Sequence, residues 1–239
     1  MTAIFSDLCP LSLQTCPVPP ASAGLVIVDM VNGFASPGAG ALAPPSADLV
    51  MDRVIAAVDV LARQTLQRGR PVLAFLDTHH PDKPEPPYPA HCVAGSGEEM
   101  LVPALRWLEQ EEQVTLLQKD CINGFVGGID PLTGRNAVTG WLCQQKVTTL
   151  IVVGVCTDIC VMDFVLTMLS ARNHGLAGDL RDIIVYEPGC TTYHLPADVV
   201  AAQGLPEIAV HPRSEHHHMG LYMMASRGAC LASALDWNA

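Results

Sequence analysis

The chain has 239 residues, enough for one domain with a full hydrophobic core. Apolar residues make up 49% of it and charged residues only 15%, which favours an α/β protein with a buried parallel sheet. The net charge of −11, without any Lys/Arg cluster, argues against a nucleic-acid binder, and the strand-sized apolar runs argue against a membrane-spanning helix.

Residues 1–22 mix Pro, Ser and Cys without periodicity, so we expect an irregular N-terminal arm before a single domain over residues 23–239. The arm has no positively charged region followed by an apolar stretch, and no secretory signal is predicted. The nine cysteines, odd in number and irregularly spaced, are therefore expected to be reduced thiols. We expect a cytoplasmic protein, with organellar or nuclear import as the alternative.

From Gly24 onward, strand-like apolar runs alternate with helical patterns. Strands are predicted at 24–29, 72–76, 114–117, 149–153, 183–186 and 208–210. Helices are predicted over 50–69, 98–111, 136–146, 158–173, 196–203 and 213–235. Five prolines fall between positions 79 and 97, which indicates a long functional loop. The alternation predicts a three-layer α/β/α, Rossmann-like fold with a six-stranded parallel sheet and a ligand site at the carboxyl ends of its strands.

Each of the first four predicted strands ends in a reactive residue. The first strand ends in Asp29, the second leads into Asp77 and His79, and the third leads into Lys119. The fourth runs into a turn and a helix that carries Cys160. Because parallel strands end at one edge of the sheet, these side chains are expected to meet there.

Cys160 is the predicted nucleophile. It falls in the first turn of a helix opened by Thr157 or Asp158, where the unpaired N–H groups and the dipole favour a thiolate. Asp29 would take the thiol proton and return it to leaving ammonia, and Lys119 would stabilise both charges. The N–H groups of Cys156 and Cys160 are candidates for the oxyanion hole, and the Cys156 thiol is the rival nucleophile.

A metal site is predicted beside this group. Asp77 and His79 point the same way if the strand persists, and His91 returns from the far end of the proline-rich loop. Glu85 lies between them in sequence and is a candidate fourth or water-bridged ligand. The run Glu215–His218 also resembles a metal cluster, but consecutive helical residues diverge, so a surface or subunit contact is predicted.

These residues resemble one known family. Asp29, Asp77-Thr-His79, His91-Cys92, Lys119 and Gly154-Val-Cys-Thr-Asp-Ile-Cys160 together resemble the isochorismatase-like cysteine hydrolases. Within that family the chain is similar to the nicotinamidases, and longer runs resemble the plant-type members. The resemblance covers about residues 24–232.

The resemblance implies hydrolysis of nicotinamide to nicotinic acid and ammonia, in NAD salvage and by a homo-oligomer. It also implies one divalent metal ion, with zinc first and iron or manganese as alternatives, that holds the pyridine nitrogen and a bound water. A cis peptide is implied between Val155 and Cys156, where it shapes the oxyanion hole and the substrate side. Phe34 and Tyr88 match positions that clamp the ring. Tyr88 stands where many members have Trp, and Glu85 where some have His.

Two other hypotheses remain open at this stage. The first is a hydrolase of the same superfamily that acts on a carbamoyl or ureido compound. Some of those hydrolases lack the three metal-ligating residues, so Asp77, His79 and His91 argue against this alternative. A catalytically silent, metal-binding oligomeric scaffold is the second, and the retained reactive residues argue against it. In both hydrolase readings the partner is a small molecule, not a nucleic acid or a membrane.

Overall fold

The computed structural model describes residues 7–238, which form a parallel sheet between two layers of helices. Its strands are β1 (Gln14–Pro17), β2 (Ala23–Val28), β3 (Val72–Asp77), β4 (Val114–Lys119), β5 (Thr149–Gly154), β6 (Asp182–Cys190) and β7 (Cys230–Asp236). They stand in the order β1-β7-β6-β5-β2-β3-β4, and every neighbouring pair is parallel. The predicted three-layer α/β class with a parallel sheet is confirmed.

Helices cover both faces of this sheet. The α-helices are α1 (Asn32–Ala35), α2 (Leu49–Gln67), α3 (Gly124–Gly127), α4 (Ala137–Gln145), α5 (Met162–Asn173), α6 (Ala197–Ala202) and α7 (Arg213–Ala225). Two 3-10 helices span Pro103–Gln110 and Glu207–Ala209, and one π-helical turn spans Thr157–Val161. Among residues 7–238, no helix combines the length and the apolar character needed to cross a bilayer.

The core is split in two by the sheet, as period-two alternation requires. On β2, Leu25 and Ile27 pack with the apolar face of α2, whereas Val26 and Val28 pack on the opposite side against α4 and α5. The strands at the centre are buried along their whole length, which explains why they read as unbroken apolar runs.

Cap residues set the ends of the longer helices. The Asp48 side chain accepts hydrogen bonds from the N–H groups of Val50 and Met51 and begins α2. Asn136 does the same for the N–H groups of Val138 and Thr139 at α4. Both residues are good N-caps because a short polar side chain accepts the otherwise unpaired N–H groups of the first turn.

The predicted count of six strands is wrong, because the sheet has seven among the described residues. The segment predicted as a sixth strand at 208–210 falls in and just after the 3-10 helix Glu207–Ala209. The predicted helix 213–235 ends at Ala225, and Cys230–Asp236 pairs as β7 with β6 and β1 instead. This last segment is rich in Ala and Ser, so its own pattern is weak and strand pairing decides its conformation.

The arm and one helix also differ from expectation. Within the predicted irregular arm, Gln14–Pro17 form the edge strand β1, and the arm's Cys16 forms a disulfide with Cys230 of β7. The expectation that every cysteine is reduced is therefore wrong for this pair. The helix predicted from position 98 begins only at Pro103, as a 3-10 helix, because the side chains of Glu98 and Glu99 hydrogen-bond to the loop before it.

Gly154 is required where β5 turns toward the nucleophile. Its φ is +127°, and a Cβ there would lie 2.0 Å from the carbonyl oxygen of Val28 on the adjacent strand. Only glycine avoids both the backbone strain and the clash, so the strand can end in this turn.

We expect Gly154→Ala to lower the free energy of unfolding by about 3 kcal/mol or more, since strain and overpacking add at one position. Urea denaturation followed by circular dichroism measures the change. Gly140→Ala is the matched control, because a Cβ on Gly140 of α4 meets nothing within 4 Å and alanine favours the helix. Equal stability of the two variants would contradict the argument.

Candidate active site

Four neighbouring strands deliver the predicted reactive residues to one edge of the sheet. Asp29 follows β2, Asp77 and Lys119 are the last residues of β3 and β4, and Cys160 lies in the π-turn after β5. These strands are adjacent in the order β5-β2-β3-β4, and Asp77 pairs directly with Lys119 in the ladder. The structure therefore brings these four side chains together at the edge where sequence reasoning placed them.

Lys119 lies at the centre of this group and is fully buried. Its Nζ is 2.8 Å from Asp29 Oδ2 and 2.8 Å from Asp77 Oδ1, and it donates a hydrogen bond to the Cys121 carbonyl oxygen at 3.0 Å. The Cys160 Sγ is 4.0 Å from the same atom. One ammonium thus contacts two carboxylates and the thiol, which fixes their relative positions.

Asp29 is a carboxylate held in a poorly solvated position. Burial raises its pKa from 3.8 to about 7, although the charge of Lys119 opposes the shift. Within residues 7–238 neither of its oxygens has a hydrogen bond of good geometry, despite the short distance from Lys119 Nζ. A carboxylate in this state accepts a proton readily near neutral pH.

Cys160 is a thiol in the resting state. Burial raises its pKa well above the ordinary value of 9.0, and the nearby charge of Lys119 only partly opposes this. The prediction that the helix N-terminus favours a thiolate is therefore wrong for the resting state, because the removal of water from the buried Cys160 side chain raises its pKa more than nearby positive charge lowers it. Its proton must be removed by a base, and Asp29 is in contact with it.

Two more predicted residues, His79 and His91, form a second cluster with Asp77 beside Lys119. The Asp77 Oδ2 atom is 3.0 Å from His79 Nε2 and 3.2 Å from His91 Nε2, and all three side chains are buried. Both Nε2 atoms lie near the same carboxylate oxygen, so the three donor atoms converge within 4.8 Å of one another. His91 Nδ1 is 2.8 Å from the Pro89 carbonyl oxygen, the contact that orients many metal-binding histidines.

Glu85 faces this cluster at a longer distance. Its Oε2 atom is 3.7 Å from His79 Nε2 and 3.8 Å from His91 Nε2, while Oε1 accepts a hydrogen bond from the Ile122 N–H. At these distances Glu85 can contact the metal-binding histidines or a bound water, or it can bind the ion directly after a small movement of its side chain. His80 is largely exposed, as expected for a side chain that faces away.

The residues predicted to contact a substrate surround the two clusters. Phe34 and Tyr88 lie on His91, with ring centroids 5.6 Å and 6.0 Å from it. Burial raises the pKa of the Tyr88 hydroxyl. The Val155 side chain packs in the hydrophobic core, and its peptide bond to Cys156 is cis, as the resemblance implied.

Sequence reasoning missed several residues that support the site. Glu98 accepts a hydrogen bond from the N–H of Cys92, next to His91, but its position had indicated only a helix start. His211 and Tyr193 contact each other and the nucleophile turn, and neither lies in a motif. A surface or subunit contact is predicted for Glu215–His218; in the structure His217 Nδ1 lies 2.8 Å from Thr157 Oγ1 within the same chain, and a subunit contact stays a prediction.

Comparison with known proteins agrees with this geometry. The model of the isochorismatase domain family matches residues 23–234. Nicotinamidase 1 of Arabidopsis thaliana is 48% identical over 217 residues, which cover 91% of this chain and 88% of that protein.

Solved structures share the fold at low identity. The nicotinamidase PncA of Bacillus subtilis has a TM-score of 0.65 at 20% identity, over 89% of this chain and 100% of that one. The pyrazinamidase of Pyrococcus horikoshii in complex with zinc has a TM-score of 0.62 at 20% identity, over 88% of this chain and 98% of that one.

We expect the cluster of Asp77, His79 and His91 to bind one divalent ion per chain. His91→Ala should weaken zinc binding by at least about tenfold, because it removes one of three converging ligands. Equilibrium dialysis with elemental analysis measures affinity and stoichiometry, and the exposed His80→Ala is the control. Unchanged zinc affinity in His91→Ala would contradict the site.

Proposed function

Because this chain belongs to the isochorismatase domain family, we propose that it is a nicotinamidase, which hydrolyses nicotinamide to nicotinic acid and ammonia. The identity of 48% to Nicotinamidase 1 of Arabidopsis thaliana, over nearly all of both chains, supports this substrate. NAD salvage is the proposed role, since the reaction returns a pyridine ring as the free acid. A homo-oligomer is part of the same proposal.

One observation carries the proposal: the buried Lys119 Nζ lies 2.8 Å from Asp29 Oδ2 and 4.0 Å from Cys160 Sγ, so an acid, a thiol and an ammonium meet at one edge of the sheet. A carboxamide is a poor electrophile with a poor leaving group, so its cleavage needs a strong nucleophile and an acid for the departing nitrogen. Cys160 and Asp29 supply these two functions, and Lys119 holds them in place.

The first half of the proposed reaction forms a thioester. Asp29 takes the proton of the Cys160 thiol, and the resulting thiolate attacks the carboxamide carbon, which places a negative charge on the carbonyl oxygen. The N–H groups of Cys156 and Cys160 are proposed to stabilise this oxyanion. As the tetrahedral intermediate collapses, Asp29 gives its proton to the nitrogen, the C–N bond breaks and ammonia leaves.

The second half regenerates the thiol. Asp29, now ionised, takes a proton from a water molecule that attacks the thioester carbon. The C–S bond breaks, the carboxylic acid is released and the proton returns to Cys160. Lys119 stays protonated throughout, because it neutralises the negative charge that moves between the carboxylate and the thiolate.

The cluster of Asp77, His79 and His91 fits a divalent metal ion, with its three converging donors and the carbonyl that orients His91. When bound, such an ion supplies a Lewis acid that suits a pyridine nitrogen. Zinc is the proposed ion, with iron or manganese as alternatives, and Glu85 is the proposed outer partner. Asp77 contacts His91 with one oxygen and Lys119 with the other. It therefore holds the metal-binding cluster at a fixed distance from the catalytic residues.

Phe34 and Tyr88 are the proposed walls for the ring. Both are neighbours of His91, with ring centroids 5.6 Å and 6.0 Å from the centroid of its imidazole. A flat heteroaromatic ring packs well against such faces. A flexible ureido or carbamoyl compound, the alternative substrate that the family allows, has no flat ring to pack against these two side chains.

We expect Cys160→Ala to lower kcat for ammonia release by about a thousandfold or more, because the covalent step is lost. The assay compares nicotinamide, pyrazinamide and N-carbamoyl compounds with one ammonia-coupled readout, and the exposed Cys143→Ala serves as the control. Activity of Cys160→Ala equal to that of the parent would exclude this nucleophile, and Cys156→Ala would then be tested in its place. Preference for N-carbamoyl compounds would identify the alternative substrate class.

We also expect kcat/KM to fall about tenfold for each pH unit below about pH 7, since Asp29 must be ionised to take the thiol proton. Burial raises the pKa of Asp29 from 3.8 to about 7 in the folded chain. Its protonated form therefore stabilises the fold at low pH, and this stabilisation is lost as the pH rises toward 7. Its protonation therefore does not unfold the protein on acidification, and circular dichroism at each pH checks this. A flat kcat/KM between pH 5 and pH 8 would contradict the role of Asp29.

A further inference from the structure

The turn that carries Cys160 is tied to a distant part of the chain. Asp158, two residues before the nucleophile, has its Oδ2 atom 2.8 Å from His211 Nε2. Thr157, at the start of the turn, has its hydroxyl 2.8 Å from His217 Nδ1 and donates its N–H to the Thr191 carbonyl oxygen. The proposed mechanism uses none of these contacts.

His211 is held on both ring nitrogens by acceptors. Nδ1 lies 3.1 Å from the Tyr193 carbonyl oxygen, which can only accept, and Nε2 faces the Asp158 carboxylate. Burial alone would raise the pKa of Asp158, but the hydrogen bond from His211 lowers it, so the carboxylate is ionised and also accepts. Both contacts are satisfied when both nitrogens carry hydrogen, which makes an ion pair with Asp158.

The imidazole of His211 is also clamped on both faces. Tyr193 stacks on one face with a centroid distance of 3.7 Å, and His216 stacks on the other at 3.8 Å. The His211 backbone exchanges two hydrogen bonds with Leu195, at 2.7 Å and 2.9 Å. His211 is thus fixed by stacking and by its backbone, so its bond to Asp158 acts from a rigid base.

Helix α7 brings this base close to the turn. A Cβ added to Gly220 of α7 would lie 2.8 Å from the Asp158 Cα, so the two backbones are in direct contact. His216 and His217 lie on the same helix, one turn before Gly220. The helix, the stacked rings and the nucleophile turn form one packed unit.

Asp158, His211 and His216 also lie close enough together to suggest a second metal site. The planes of His211 and His216 differ by only 26°, however, and the rings are stacked. The ring nitrogens of stacked imidazoles have their lone pairs in separate planes, and both nitrogens of His211 already face an oxygen acceptor. The stacked geometry suits an ion pair and not a shared ion.

We propose that the ion pair of Asp158 and His211 is a positioning device that holds the Cys160 turn in the geometry needed for attack. This proposal rests on the proposed function only where turnover of nicotinamide is measured. The position of Cys160 can be tested whether or not nicotinamide is the substrate. Among the described residues His211 contacts the turn through Asp158 and not through Cys160, so it acts on the nucleophile indirectly. Loosening the turn would move the sulfur away from Asp29 and from the reacting carbon, and misplacement of a nucleophile by about 1 Å is enough to slow attack strongly.

Two substitutions at His211 separate the roles of its nitrogens. His211→Asn keeps a donor near the Nδ1 position, toward Tyr193, but does not reach Asp158, whereas His211→Gln keeps a donor near the Nε2 position. We expect His211→Asn and Asp158→Asn each to lower kcat by about tenfold or more with KM within about twofold, and His211→Gln to recover most of the loss. The double variant of Asp158→Asn and His211→Asn should lose no more than the worse single variant.

A second readout does not depend on the substrate. The rate at which iodoacetamide alkylates Cys160, followed by peptide mass spectrometry, should fall in the same variants. His174→Gln and Asp179→Asn, at exposed positions, are the matched controls, and thermal unfolding reports whether each variant is folded. If nicotinamide is not hydrolysed but alkylation slows as expected, the positioning role stands and the proposed function fails.

The proposal is overturned if the folded Asp158→Asn and His211→Asn variants keep both kcat and the alkylation rate within about twofold of the parent. It is also overturned if His211→Gln loses as much kcat as His211→Asn, or if the losses in the double variant multiply. Should Asp158→Asn not fold, the comparison of His211→Asn with His211→Gln decides the question alone.

Discussion

Lys119 carries its positive charge at a fully buried point between two carboxylates. A buried ammonium without partners would be strongly unfavourable, and so would either carboxylate alone, so the three groups are stable there only together. This mutual dependence fixes where Asp29 and Asp77 lie, and with them the positions of Cys160 and of the paired histidines. The rest of the site is arranged around that one charge.

The same interaction divides the site into two chemically different halves. On one side of Lys119, burial leaves Asp29 and Cys160 ready to exchange a proton, because both pKa values are raised. On the other side, burial alone would raise the pKa of Asp77, but the histidines and Lys119 lower it to about 2. This carboxylate therefore stays ionised and can act as a ligand for a cation. Two aspartates at adjacent strand ends thus receive opposite properties from their surroundings.

Outside this centre, the fold supports the nucleophile from the opposite direction. The turn after β5 begins at position 154, where only glycine fits. It is held further along by the contacts of Thr157 and Asp158 with the C-terminal part of the chain. The ring of His211 stacks between Tyr193 and His216 of α7 and contacts the turn through Asp158. Strands thus supply the reacting groups, and the peripheral helix supplies rigidity.

The sequence by itself determined the parallel α/β fold, its central strands and the side chains at their ends, because apolar runs of strand length and one shared sheet edge follow from local pattern alone. It did not determine β1 and β7, whose weak patterns become strands only by pairing, nor the pairing of Asp158 with His211, which lies 53 residues further along the chain. It also mispredicted the state of Cys160. The pKa of a thiol depends on how completely the folded chain removes water from it, and that quantity exists only in the tertiary structure.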